Sequence, residues 1–545
     1  MMLRAFRLVL LILLPCMSIA ASARADDLPL VKLAEIGPWS SVSGLIGFRD
    51  RLWFVNSVKY VNHNSADLYS YSPASGNTRF EHHLFSQDSG DPAVLGGRLY
   101  WPFEDARGSA GVAEFMATDG THWDWRTIPG VLGFHAHAFI AHDGALYAGL
   151  SAWQAVIARS DDGGVTWRIV YRHPTPEKHV TRITAFAALD GRLFAGVTAE
   201  RETAPKLLIQ TKDGFAPVAG WPERGANIAL TSFKGWVYGA HRSRDEASTW
   251  RSDGADVERV TALDGTHVQA FTVVRDTLYA AIDDGRAGRL MASEDGSSWR
   301  VAFEFPDARP IALAAFQDRL FVGAEGPVDH GALWGPPPDR SAATTDELPV
   351  GALPDPPDSF ASNDDATTAL QEFGERLLSP ASFGHHLSAL VEPFARSRRA
   401  LIGPWLQHRL SAKFPEGEVS MFGGGVDIAR RDIARWYMLR AMGLNGHGRV
   451  PPALLAEPLR APRNAAEKYF DIAPLATWVA AVLHQDDPET IEALVDRLGV
   501  SGEPPWFTGD LVGALQTLTG QRFGYDIEAW KAWWATERVL RSGQR

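Results

Sequence analysis

Along the first two thirds of the chain, apolar residues come in short runs separated by two-residue polar turns, and the pattern repeats. Residues 184–197, TAFAALDGRLFAGV, are the clearest copy: an apolar run, a turn at Asp190-Gly191, then a second apolar run. Copies are centred on Leu52, Leu99, Leu146, Leu193, Val237, Leu278 and Leu320, at steps of 47, 47, 47, 44, 41 and 42 residues. The residue after each centre is aromatic: Trp53, Tyr100, Tyr147, Phe194, Tyr238, Tyr279 and Phe321. Eight positions before the centre it is small (Gly44, Ala138, Ala185, Ala229, Ala270, Ala312), except for Asp91. Each repeat reads as four strands. In the third they fall at residues 135–141, 145–150, 155–159 and 167–171. β-Branched and aromatic residues fill these runs, with Gly and Asp between them. The turn between the third and fourth strands repeatedly carries Asp-Gly, which supplies the positive φ that a tight hairpin needs.

Short strands at a period in the forties predict a β-propeller. The seventh repeat is incomplete, because Pro336-Pro337-Pro338 follows its third strand and proline cannot continue a ladder. Residues 30–36 precede the first repeat without a partner and are expected to supply the missing outer strand. That pairing would close seven blades and protect a sheet edge.

The turn SDDGGVTW resembles the Asp-box of sialidase-like (BNR) propellers at Ser160, Asp162, Gly164, Thr166 and Trp167. Shorter variants begin at Ser293 and Thr118. The resemblance implies a structural turn: Asp and Ser bond to the hairpin backbone and Trp packs between strands. It implies no catalytic residue here. Sialidases clamp a carboxylate with arginines, the first in an F/Y-R-I-P segment. The nearest text is GFRDRL, which puts Arg49 and Arg51 in a turn on the wrong face. No nucleophile and base can be named. The motifs HExxH and GxSxG and zinc-type Cys/His clusters are absent from the sequence, and no cofactor is expected.

After Pro336 the strand pattern stops. Residues 336–365 are rich in Pro, Asp, Ser and Ala and read as a linker that few contacts cross. Helical spacing or strong helix formers follow at 367–378, 427–442, 465–483, 488–498 and 526–539, with Asp487 and Asp526 as N-caps and Gly499 as a C-cap. The tail LTGQRFGYDIEAWKAWW resembles a segment that closes some bacterial helical-repeat (HEAT-like) domains. Trp530, Trp533 and Trp534 share one helical face there and are expected to pack it onto its neighbours. MFGGGVD, at 421–427, is a Gly-rich loop before a helix, but it lacks the Lys-Ser/Thr of a phosphate loop.

At the start of the chain, Arg4 and Arg7 precede an apolar run, and Ala23-Arg24-Ala25 is an A-x-A cleavage pattern. This reads as a signal peptide. Cleavage after Ala25 would remove Cys16, the only cysteine; a lipid anchor on Cys16 is the rival reading. The expected plan is a signal peptide at 1–25, a seven-bladed propeller at 26–335, a linker at 336–365 and an α-helical domain at 366–545. No span crosses a membrane after signal cleavage. The net charge of −12 argues against nucleic acid as a partner.

Eleven positions before the centres stand Ser41, Asp88, His135, Arg182, Ala226, His267 and Arg309. This column enters the propeller mouth and turns basic in an acidic chain, so it predicts positive potential there. His137 and Gln269 add donors two positions on. The loops after the second strands add charges at Glu104, Asp105, Arg107, Glu200, Arg201, Arg242, Arg244, Asp245, Asp283, Asp284 and Arg286. His135-x-His137 suits a metal but shows no third ligand, and the imidazoles of His82-His83 point to opposite faces. The ligand-binding residues predicted are therefore Asp88, His135, His137, Arg182, His267, Gln269 and Arg309. The function expected is non-catalytic recognition of a glycan or protein ligand, possibly anionic, outside the cytoplasm, with the helical domain as an interaction module. The alternative is a divergent glycoside hydrolase or lyase acting on an anionic sugar.

Overall fold

The computed structural model describes residues 28–58, 65–107, 112–152, 154–173, 180–199, 206–243, 246–283, 288–327, 329–339, 341, 348–378, 385–414, 416–421, 426–462 and 471–543. The signal-peptide stretch lies outside them, as do loop residues Glu200, Arg201, Arg244, Asp245, Asp284 and Arg286. The strands run in successive antiparallel units. Their innermost strands are Ser41–Phe48, Ser86–Ser89 with Ala93–Leu95, the second half of Trp123–His142, Thr181–Leu189, Gly225–Phe233, Val268–Val274 and Arg309–Phe316. Val31–Ile36 pairs antiparallel with Gly331–Gly335, with Ile36 opposite Gly331 and Val31 opposite Gly335. The N-terminal strand thus supplies the outer strand that the last unit lacks.

The two sequence columns now have physical causes. Each aromatic after a centre shares a buried cluster with the centre of the following repeat. Trp53 packs with Leu99, Tyr100 with Leu146, Tyr147 with Leu193, and Phe194 with Val237. Tyr238 packs with Leu278, Tyr279 with Leu320, and Phe321 returns to Leu52. The aromatics therefore fill the gaps between neighbouring units, and the last gap joins the end of the series to its beginning. The small column follows a β-bulge. Register shifts fall between Ala136 and Ala138, Ile183 and Ala185, Asn227 and Ala229, Val268 and Ala270, and Pro310 and Ala312. A bulge bends the strand and re-aims its side chains, and only a small residue fits the approach that follows. Asp91 breaks the column because its strand is itself broken. Its N–H donates to His137 O and its carbonyl accepts from Phe139, drawing Gly90 so close that a Cβ there would lie 1.6 Å from His137 O.

Among the described residues, helices follow at Asn363–Leu378 (α1), His385–Ala395 (α2), Ile402–Leu410 (α3), Arg430–Asn445 (α4), Pro452–Arg460 (α5), Ile472–Val482 (α6), Pro488–Leu498 (α7), Pro505–Thr519 (α8) and Ile527–Gly543 (α9). Asp487 caps α7 through a bond from Thr490 N, and Asp526 accepts from Ala529 N at the start of α9. Trp530 and Trp534 are buried and Trp533 packs against them, so the tryptophan stripe of α9 is core. The start of MFGGGVD differs from the loop expected: Glu418–Met421 and Val426–Ala429 form a hairpin, and α4 begins only at Arg430. The glycines between them lie outside the described residues.

The expectation that few contacts cross the Pro-rich segment does not hold. Leu353 is buried in the cluster of Phe115 and Phe139, and its N–H donates to Asp124 Oδ2 at 2.7 Å. Gly351 N donates to Asp119 Oδ2 at 2.8 Å, while Arg98 and Arg126 donate to carbonyls of residues 351–353. Phe85 and Trp125 of the strand units belong to the same buried cluster as the helices. A proline-rich composition removes backbone donors, but it does not stop a strip of chain from docking on a surface that offers buried carboxylates. A fragment ending at residue 341 is therefore expected to melt well below the full chain and to bind a hydrophobic dye, because Phe85 and Trp125 become exposed. Equal thermal midpoints for fragment and full chain would show that the two parts are independent.

Candidate functional site

Strand pairing threads residues of the second strands between those of the predicted column. Ser41 lies opposite Ser57, whose hydroxyl donates to Asp88 at 2.6 Å. Asp88 lies opposite Glu104, which also faces His135. His135 lies opposite Ser151, which also faces Arg182; Arg182 lies opposite Thr198, which also faces Ala226. Ala226 lies opposite Arg242. On the other side, the carbonyl of His267 accepts from Asp283 N, and Arg309 bonds both Asp283 (3.1 Å) and Glu325 (2.5 Å). Glu325 faces Ser41, which joins this arc of the belt to the first. The belt is polar, as expected, but it is not uniformly basic. The partner strands bring Glu104, Asp283 and Glu325 level with the basic residues, and a single-strand column cannot show that.

The individual residues differ in what they can offer. Arg182 is half-buried and forms no ion pair among the described residues. Arg309 is held by two carboxylates. His135 and His137 are neighbours, with ring centroids 5.5 Å apart. Burial lowers the His135 pKa, Asp105 and Glu104 oppose this, and Arg182 reinforces it, leaving the ring below the usual histidine value and neutral at pH 7. His267 is exposed, and Gln269 sits half-buried at the bulge of its strand. Asp88 is buried. Among the described residues, no three metal-ligating side chains converge.

The SDDGGVTW turn is closed by its own side chains. Ser160 Oγ accepts from Gly164 N at 2.7 Å and donates to Asp162, which also accepts from Thr166 N (2.8 Å), Thr166 Oγ1 (2.5 Å) and Val165 N (3.2 Å). Burial alone would raise the Asp162 pKa, but the bonds from Thr166, Ser160 and Val165 hold it below the usual carboxylate range. Trp167 stacks on Phe139 and meets Phe115 edge-on. Asp295 holds its hairpin in the same way, accepting from Ser297 N and Ser298 N.

A second polar assembly lies at the seam between strands and helices. His83 Nδ1 is 2.7 Å from Asp67, and its Nε2 is 3.0 Å from Asp510 of α8. Arg107 Nε donates to Asp510 at 2.6 Å, and its guanidinium lies 4.5 Å from the Trp506 ring. Tyr525 Oη and Trp39 Nε1 donate to Asp67 at 2.6 and 3.1 Å. Burial alone would lower the His83 pKa, but the bonds and charges of Asp510 and Asp67 outweigh it and push it up to about 9. The imidazolium and Arg107 thus neutralise two buried carboxylates. Two glycines of α8 make room: a Cβ on Gly513 would lie 2.4 Å from His83, and one on Gly509 2.6 Å from Ser65. A second buried pair joins Glu114 to Arg440 of α4 at 3.6 Å, and Trp125 Nε1 donates to Glu114 at 2.6 Å. Burial outweighs Arg440 and raises the Glu114 pKa to about 7. The sequence reading set His82-His83 aside because the imidazoles point to opposite faces; the structure brings Asp510, 427 residues away, to His83, and no local pattern reports that contact.

Beside this clasp the seam encloses a cavity of about 290 Å³, walled by Trp123, Trp125, Arg126, Arg396, Arg398 and Asn445 among others. Gly164 and Val165 of the SDDGGVTW turn also face it, so it lies on the hairpin side rather than at the mouth.

No protein family matches the sequence, and no curated protein matches it. Solved structures are similar at low identity. "YCF48 bound to D1 peptide" is 12% identical with a TM-score of 0.40, the match covering 57% of this chain and 94% of that one. The β-propeller domain of the trilobed protease from Pyrococcus furiosus is 10% identical with a TM-score of 0.38, covering 60% and 99%. The RRP9 WD40 repeats are 10% identical with a TM-score of 0.40, covering 56% and 97%. The likeness is one of fold: a strand-rich region with β-propeller neighbours, followed in this chain by helical segments.

Proposed function

We propose that this is an exported, non-catalytic recognition protein whose strand units form a seven-bladed, sialidase-like propeller, with a HEAT-like helical part docked on one side as an interaction surface. The observation that carries the reading is the mixed belt at the mouth. Arg182, Arg242, His137 and Gln269 can donate, and Glu104, Asp283 and Glu325 can accept. Sugar hydroxyls donate and accept together, as do peptide groups, so an alternating belt suits a glycan or an extended protein segment better than a lone anion.

Titration of the full chain with neutral and acidic oligosaccharides is expected to show binding that Arg182→Ala and Glu104→Gln each weaken by more than tenfold. Loss of a hydrogen bond to a charged group costs about 1.5–3 kcal/mol. Equal affinity in wild type and both variants would remove the mouth from the account. Release of reducing sugar during the titration would favour the alternative, a glycoside hydrolase or lyase.

A further inference from the structure

We infer that the seam cavity is a second ligand site, separate from the mouth, for a small organic carboxylate with a planar apolar body and a hydrogen-bond donor. The cavity size, about 290 Å³, is at the lower end of small-molecule pockets. Its walls divide by chemistry. Trp123 and Trp125 offer aromatic faces, and His82 stacks on Trp123 with centroids 4.6 Å apart. Burial holds His82 uncharged, with His83 and His484 adding to the effect, so this wall is apolar.

The opposing chemistry is cationic. Arg126, Arg396 and Arg398 line the cavity, and their carboxylate partners are Asp124, Glu392 and Asp355. Of those three carboxylates only Asp124 lines the cavity, and Arg396 bonds Glu392 through Nε and Nη2, which leaves its Nη1 without a bond among the described residues. Asp124 is also engaged elsewhere, accepting from Leu353 N. Guanidinium groups hold a carboxylate through paired, charge-assisted bonds.

Two lining residues also carry buried polar atoms that no described residue satisfies. Arg126 donates through Nη1 to Trp125 O and through Nη2 to Asp124 and Leu353 O, but its Nε has no acceptor among the described residues. Asn445 donates through Nδ2 to Phe394 O (2.9 Å) and Ser397 O (3.0 Å), while its Oδ1 has no donor among the described residues. Buried polar atoms normally find partners. The Arg126 N–H calls for an acceptor and Asn445 Oδ1 for a donor; both atoms lie just behind the cavity surface, so a carboxylate oxygen and a hydroxyl meet them when these side chains turn toward the ligand. A ligand with both groups on a flat body complements this lining, and Pro356 and Ala395 at the end of α2 form part of its enclosure.

The probe is 4-hydroxyphenylacetate, titrated calorimetrically into the full chain beside its methyl ester and phenylacetate. Binding of 4-hydroxyphenylacetate is expected, with the ester about tenfold weaker because it lacks the charge, and phenylacetate weaker because it lacks the donor. Arg396→Gln is expected to keep the fold, since Arg396 directly follows α2 and its partner Glu392 is only four residues back, and to weaken binding about tenfold. Val482→Trp fills the cavity and is expected to abolish binding. Arg182→Ala at the mouth should leave the affinity unchanged, which separates this site from the one proposed there. Absence of binding at millimolar probe overturns the inference, as does binding that Arg396→Gln leaves unchanged, whether or not the tryptophan variant folds. Loss of affinity in Arg182→Ala alone also overturns it and moves the probe to the mouth.

Discussion

Replacing Asp510 with alanine is expected to destabilise the chain by about 3–5 kcal/mol, the cost of breaking a buried ion pair by removing one partner. Asp510 is fully buried and accepts from both His83 and Arg107. Without it, His83 is left with Asp67, which Tyr525 and Trp39 already use, and Arg107 loses a buried charge partner. Chemical denaturation of wild type and variant would measure the loss; a difference under about 1 kcal/mol would show that the network holds little. Linkage supplies an independent check. The folded pKa of His83 is raised from 6.5 to about 9, so its contribution is fully present below 6.5 and fades as pH rises through 9. At 1.36 kcal/mol per pKa unit this amounts to roughly 3 kcal/mol. Wild type should therefore lose stability between neutral and alkaline pH, and Asp510→Ala should lose less over that interval. Parallel pH profiles would mean that His83 is not the titrating group.

Removing residues 28–36 is expected to cost about 5 kcal/mol or more, comparable with the whole stability of many domains. Leu30 and Ile36 are buried, each contributing roughly 1.5–3 kcal/mol. The ladder with Gly331–Gly335 adds hydrogen bonds of about 0.5–1.5 kcal/mol each. The deletion also uncovers the edge of the last unit beside Trp334, which invites pairing with other chains. A folded, monomeric deletion variant with an unchanged denaturation midpoint would show that this pairing does not hold the strand units together.

Several elements escape a reading of the sequence for definite reasons. Helices α2 and α5 contain Pro393 and Pro458, and proline reads as an interruption. Helix α8 contains Gly509 and Gly513, which weaken a helix by about 1 kcal/mol each. Their value appears only when Ser65 and His83 are seen against them. Glycines four apart inside an otherwise apolar run were the available signal for a close helix contact. At the mouth, Arg182 beside His135 was legible from spacing. The carboxylates that share the belt were not, because they come from the strand opposite.

The sequence by itself determined the repeating strand unit, the aromatic positions that fill the gaps between units, the missing outer strand and its replacement. It also determined the self-bonded hairpin turn at Ser160. These are local or periodic properties. A strand alternates every two residues, a turn needs positive φ within a few positions, and a repeat writes the same contact many times. Only the tertiary structure decided that residues 350–353 dock on the strand units and that Asp67, His83, Arg107 and Asp510 form one neutral buried cluster. It alone showed that a lined cavity lies beside that cluster and that the mouth carries both signs of charge. Each of these joins side chains once, across hundreds of residues or between opposite strands. No periodicity reports such a contact, and its electrostatic value exists only after burial removes water.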